Sequence, residues 1–88
     1  MNNIFEKTDF KSGIVTYKSN TLQEDILQVK YPHNFTLDMG WYSDKFIIYV
    51  IKDYMWDEPI AEYVTKNTEE LSDVLSKAVN VIEQAYKR

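Results

Sequence analysis

Apolar and polar positions along this chain follow two different periods. From Phe35 to Tyr42, Phe35, Leu37, Met39 and Trp41 alternate with Thr36, Asp38, Gly40 and Tyr42. A period of two marks a strand with one buried face. Ser43-Asp44 makes a two-residue turn, after which Phe46-Ile47-Ile48-Tyr49-Val50-Ile51 runs apolar on both faces. Such a strand belongs in the middle of a sheet, covered on one side by another layer. Pro59 opens a last strand from Ile60 to Thr65, with Ile60, Glu62 and Val64 opposite Ala61, Tyr63 and Thr65. A missing N–H costs little at the first residue of a strand. The period then changes. Between Glu69 and Tyr86, Leu71, Val74, Leu75, Ala78, Val79, Val81, Ile82, Ala85 and Tyr86 recur at steps of three and four. That spacing forms the apolar stripe of a helix packed on a core. Asn67 with Glu70 three positions on has the form of a reciprocal N-terminal cap. Glu69, Glu70 and Asp73 near the start and Lys87-Arg88 at the end match the helix dipole.

The first third is less strongly patterned. Gly13 to Lys18 reads as a strand. Asp25 to Tyr31 reads as another, with Leu27, Val29 and Tyr31 alternating, although a helix competes for the same residues. Thr21-Leu22-Gln23-Glu24 has the form of a capping box, Leu22, Ile26 and Val29 have helical spacing, and Pro32 is a stop signal. The strand is preferred, because Tyr31-Pro32-His33-Asn34-Phe35 suits a short hairpin connection. The first ten residues fit an edge strand, a short helix or an arm. The elements assemble as one α+β domain over residues 1–88: an antiparallel β-meander of four to five strands with the C-terminal helix packed on one face.

Composition narrows the function. With 88 residues, the chain buries only about 60–65% of its unfolded surface. It contains no Cys, so disulfides, redox motifs and thiolate metal sites are excluded. No apolar run approaches the ~18 residues of a membrane span. Met1-Asn2-Asn3-Ile4-Phe5-Glu6-Lys7 lacks the basic and apolar regions of a secretory signal, so a cytoplasmic location is expected. The net charge of −4 is unevenly placed. Residues 1–52 hold six acids and six lysines, whereas residues 53–88 hold eight acids against Lys66, Lys77, Lys87 and Arg88. An acidic field repels phosphate and anionic lipid and attracts basic partners.

No catalytic, metal or cofactor constellation emerges. His33 is the only histidine, and in a Pro-His-Asn turn it reads as an exposed turn residue. Gly13 and Gly40 are isolated, so there is no phosphate-cradling loop. Asp38 is the candidate for acid–base chemistry, set against its plainer reading as a solvent-face residue beside a bulge at Gly40. Asp57 and Glu58 match no calcium-loop spacing. Tyr17 and Tyr31 with lysines 7, 11, 18 and 30 are the residues a nucleic-acid-binding sheet would use, but the broad basic field such a surface needs is missing. The remaining anomaly is Asp53-Tyr54-Met55-Trp56-Asp57-Glu58, a link between strands with three large apolar side chains among three acids. These side chains either fold back as a lid over the sheet or stand out as anchors for a partner.

The runs Leu37-Asp38-Met39-Gly40-Trp41-Tyr42, Phe46 to Lys52, Trp56-Asp57-Glu58-Pro59 and Asn67-Thr68-Glu69-Glu70-Leu71 resemble small uncharacterised proteins of low-GC Gram-positive bacteria. The layout is also similar to immunity proteins that neutralise polymorphic toxins: small, acidic, a β-meander with one helix. The likeness covers roughly residues 35–75 and implies a protein-binding role against a basic toxin. The expected partner-binding residues are Asp53, Tyr54, Trp56, Asp57, Glu58 and Glu62, with no catalytic residue, metal or cofactor.

Overall fold

The computed structural model describes residues 6–19 and 23–87. Five strands form one sheet in the order β1-β2-β3-β4-β5: β1 Ile14–Lys18, β2 Leu27–Tyr31, β3 Phe35–Tyr42, β4 Lys45–Lys52 and β5 Ala61–Thr65. Every neighbouring pair is antiparallel. Helix α1, Leu71–Tyr86, packs against β3, β4 and β5. The fold is therefore α+β, a meander in chain order with one helix on one face.

Alternation along the strands decides which side chains the helix covers. Leu27 and Val29, Leu37 and Met39, and Phe46, Ile48 and Val50 point to the helix and are fully buried. Leu71, Leu75, Ala78, Val79 and Ile82 of α1 meet them. Val81 is half-buried and Ala85 exposed, so the stripe is narrower than its apolar spacing implies. Of the contested segment Asp25 to Tyr31, Leu27–Tyr31 forms strand β2, two residues shorter than expected, with partners in β3 from Leu27↔Met39 to Tyr31↔Phe35. The competing capping box lies partly outside the described residues, as do the first five residues. Glu6 and Lys7 are helical, and from there the chain runs as an arm in which Thr8 is buried and Phe10 packs on the core.

Several local expectations are corrected. Strand β5 begins at Ala61, one residue later than Ile60, whose N–H donates to the Val50 carbonyl at 2.8 Å. The bulge lies in β1, between Val15 and Tyr17, and pairing through Gly40 is continuous. Asn67 caps the 3₁₀ turn Thr68–Glu70 that leads into α1, accepting from the Glu69 N–H at 2.9 Å. Glu70 does not return the bond: its carboxylate accepts from the Thr65 hydroxyl at 3.2 Å, and that hydroxyl accepts from the Asn67 N–H. Tyr31, considered above as a stacking platform, is buried in the core. Its hydroxyl has no hydrogen-bond partner among the described residues, and burial pushes its pKa up.

The arm is tied to the end of the helix through Glu83. Its carboxylate accepts from the Ser12 hydroxyl at 2.5 Å and the Tyr86 hydroxyl at 2.7 Å, and pairs with Lys87 at 3.3 Å. The two hydroxyls also touch each other. These donors, Ser12 first and then Tyr86, pull the Glu83 carboxyl down to about 2. His33 is exposed in its turn, and its ring stacks against Tyr86 at 5.6 Å.

Candidate functional site

Among the described residues, the face of the sheet away from α1 has no second layer of secondary structure. Register places one residue from each strand in a row across it: Tyr17 opposite Gln28, Gln28 opposite Asp38, Asp38 opposite Tyr49, and Tyr49 opposite Glu62. Two connections rise beside this row as walls. On one side the Gln23–Asp25 segment is pinned over β3, where the Trp41 N–H donates to the Gln23 carbonyl at 2.8 Å and the Ile26 N–H to the Met39 carbonyl at 2.9 Å. Gly40 makes this approach possible, because a Cβ there would lie 1.9 Å from the Glu24 carbonyl oxygen. On the other side the β4–β5 connection brings Trp56, Asp57 and Pro59 beside Asp38, Tyr42, Tyr49 and Glu62.

The result is a groove with Asp38 at its middle. Its larger half holds about 390 Å³, near the small end of ligand pockets. Asp38 also borders a smaller half, about 300 Å³, lined by Tyr17, Asp25 and Gln28.

The β4–β5 connection achieves its shape through a tight left-handed turn. Asp53 and Tyr54 have φ of 56° and 61°, and the Met55 N–H closes the turn on the Lys52 carbonyl at 3.1 Å. Residues with a Cβ resist this region, at roughly 1 kcal/mol each. The turn brings Tyr54 back over the sheet, where the Lys30 ammonium lies 4.7 Å from its ring centre. Lys30 also donates to the Thr36 hydroxyl at 3.3 Å. Thr36 and its cross-strand partner Ile51 face away from the helix yet are each 1% exposed. Lys30 and the connection stand at this end of the open face. Trp56, 46% exposed, stands at the edge of the part left open. Tyr54 and Met55 are likewise exposed, at 57% and 52%, so the three apolar side chains of the segment stand out from the sheet.

Charge in the groove is unbalanced. Burial pushes the Asp38 carboxyl up to about 6, the nearby Asp25 adds to the rise, and Lys30 opposes it. Burial, and then the neighbouring carboxylates, also raise Tyr42 and Tyr49. Among the described residues the ion pairs are Lys11–Asp9, Lys52–Asp53, Lys66–Asp44 and Lys87–Glu83. None involves Asp25, Asp38, Asp57 or Glu62. No described cluster of three or more His, Cys, Asp or Glu residues has the arrangement of a metal site.

The residues expected to bind a partner are therefore only partly brought together. Trp56, Asp57 and Glu62 line the groove with Asp38. Tyr54 and Glu58 border an adjoining concavity that shares Trp56 and Asp57, while Asp53 lies outside both and pairs with Lys52. Sequence reasoning passed over Tyr42 and Tyr49 and set Asp38 apart as an acid–base candidate. A signal for them existed: the Ser43-Asp44 turn pairs Tyr42 with Lys45, and stepping back along both strands puts Asp38 opposite Tyr49. Of the residues a nucleic-acid surface would use, Tyr17 stays exposed, while Tyr31 is buried, Lys11 is paired and Lys30 is stacked on Tyr54. No helix among the described residues is long and apolar enough to cross a membrane. Comparison with known proteins finds no matching family model, no similar curated protein and no similar solved structure.

Proposed function

We propose that this chain is a small acidic protein-binding module of the cytoplasm, an immunity or inhibitor protein that neutralises a basic partner such as a toxin. The reading needs no chemistry or cofactor of its own. The observation that carries it is the groove on the open face, where Asp25, Asp38, Asp57 and Glu62 have no ion pair among the described residues and stand beside Tyr42, Tyr49 and Trp56. Aromatic anchors within a charged rim are the composition of an interface hot spot, and the acidic field speeds encounter with a basic surface.

The test is co-expression with the product of the adjacent reading frame, followed by binding measured on the purified pair. Relief of growth inhibition that fails for Trp56→Ala at matched levels of folded protein supports the reading. A neighbour that is neither toxic nor bound overturns this toxin pairing. The alternative of nucleic-acid binding has less support, given the acidic groove and the buried Tyr31. Micromolar binding to single-stranded DNA or RNA that weakens steeply with salt would promote it.

A further inference from the structure

We propose that the groove seats one arginine side chain of the partner, its guanidinium on the Asp38 carboxylate and beside Tyr42, Tyr49 and Trp56. The inference rests on the protein-binding reading and names the chemical group that the groove recognises.

Asp38 is partly withdrawn from water, yet it accepts no hydrogen bond and makes no ion pair among the described residues. A carboxylate in that state leaves acceptor positions open toward the groove. Its surroundings exclude most occupants. Asp25 on one wall and Asp57 and Glu62 on the other repel an anion. A neutral group would leave the charge uncompensated. A metal ion would need several converging ligands, and no described cluster offers them. The nearest lysine is already engaged, since Lys30 bonds Thr36 and stacks on Tyr54. The occupant that answers all of these is an extended organic cation.

Between the two cationic side chains, the lining favours arginine. Its planar fork matches a single carboxylate with two parallel hydrogen bonds. Guanidinium also stacks on aromatic faces and is more weakly hydrated than ammonium, so it enters a half-dry groove at lower cost. The half beside Trp56 holds about 390 Å³, room enough for a guanidinium and its stem. The partial burial that raises Asp38 toward neutrality acts in the same direction, because a bound cation restores the charged form.

The test is a nitrogen-15 NMR titration of the full chain with N-acetyl-arginine amide. The neutral isostere N-acetyl-citrulline amide and N-acetyl-lysine amide serve as comparators. The expected result is weak, saturable binding of the arginine probe, with shifts centred on Asp38, Tyr42, Tyr49 and the Trp56 indole. Asp38→Asn should weaken it about tenfold or more, with a dispersed spectrum showing that the variant is folded. Glu69→Gln, at the start of the helix, should leave it unchanged. Equal response to citrulline, equal response to lysine, absence of saturation, or an unaltered response in Asp38→Asn would each overturn the assignment. If Asp38→Asn still binds the protein partner as wild type does, the arginine seat fails while the protein-binding reading stands.

Discussion

Glu83 and Asp38 are both carboxylates drawn out of water on opposite sides of one sheet, and the protein treats them in opposite ways. Glu83, on the helix side, is surrounded by donors: Ser12, Tyr86 and Lys87 converge on it, and its carboxyl falls to about 2. Asp38, on the open side, is given no donor among the described residues, and its carboxyl rises to about 6. Local sequence does not explain the contrast, since each acid sits among apolar neighbours in a regular element. The surroundings differ. On the helix side the arm and the last turn of α1 supply donors to the acid from within the chain. The open side is walled by two loops that bring further acids and aromatic rings but no free cation. Glu83 contributes to holding the fold together, whereas burial of the Asp38 carboxylate opposes folding.

The sharpest test of the closed side is Leu75→Ala, at a fully buried position of α1. It should cost about 2–5 kcal/mol by opening a cavity under the helix. Thermal or denaturant unfolding measures this, and unchanged stability would mean that the helix face is not the core. On the open side, Gly40→Ala should cost about 2 kcal/mol, because the added methyl meets the Glu24 backbone at 1.9 Å and must displace the wall. Its amide spectrum should change most at Gln23 to Ile26.

Glu83→Gln should cost about 1–3 kcal/mol near neutral pH through the lost charge-assisted bonds to Ser12 and Tyr86. The pH dependence has a definite sign. Because folding lowers this carboxyl from 4.5 to about 2, its contribution is present above pH 4.5 and is lost as pH falls toward 2. Variant and wild type should converge over that window.

Asp38→Asn has the smallest expected effect and the opposite sign. Folding raises this carboxyl from 3.8 to about 6, so its neutral form stabilises the fold below pH 3.8 and that contribution disappears as pH rises through 6. At pH 7.5 the asparagine variant should be more stable, by about 1–2 kcal/mol after solvent screening is allowed for. The gain should vanish at pH 3.5. A variant less stable than wild type at pH 7.5 would show that Asp38 has a partner in the fold and would end the contrast with Glu83.

Much of the architecture was readable from periodicity. Period two from Phe35 to Tyr42, the apolar run from Phe46 to Ile51 and the three-and-four spacing from Leu71 to Ile82 identify the central hairpin and the helix that covers it. The Ser43-Asp44 turn fixes the register of β3 on β4, and with it the meeting of Asp38 and Tyr49. The ambiguous segment, Asp25 to Tyr31, is decided by long-range pairing, because a strand gains most of its stability from neighbours distant in the chain. Glu83 was not legible at all. It lies on the helix beside the apolar stripe, and its partner Ser12 is separated from it by 71 positions.

By itself, the sequence determined the helix, the central hairpin, the acidic C-terminal third and the exclusion of thiol and phosphate-loop chemistry. These follow from local spacing and composition, which act within a few residues. Only the tertiary structure decided which acids are compensated and which are left open. It also decided that the apolar side chains of the 53–58 connection stay exposed, and that Gly40 admits a crossing backbone instead of forming a bulge. Those outcomes depend on which loops cross which face of the sheet. They are set by steric fit and desolvation between segments far apart in the chain, which no local pattern encodes.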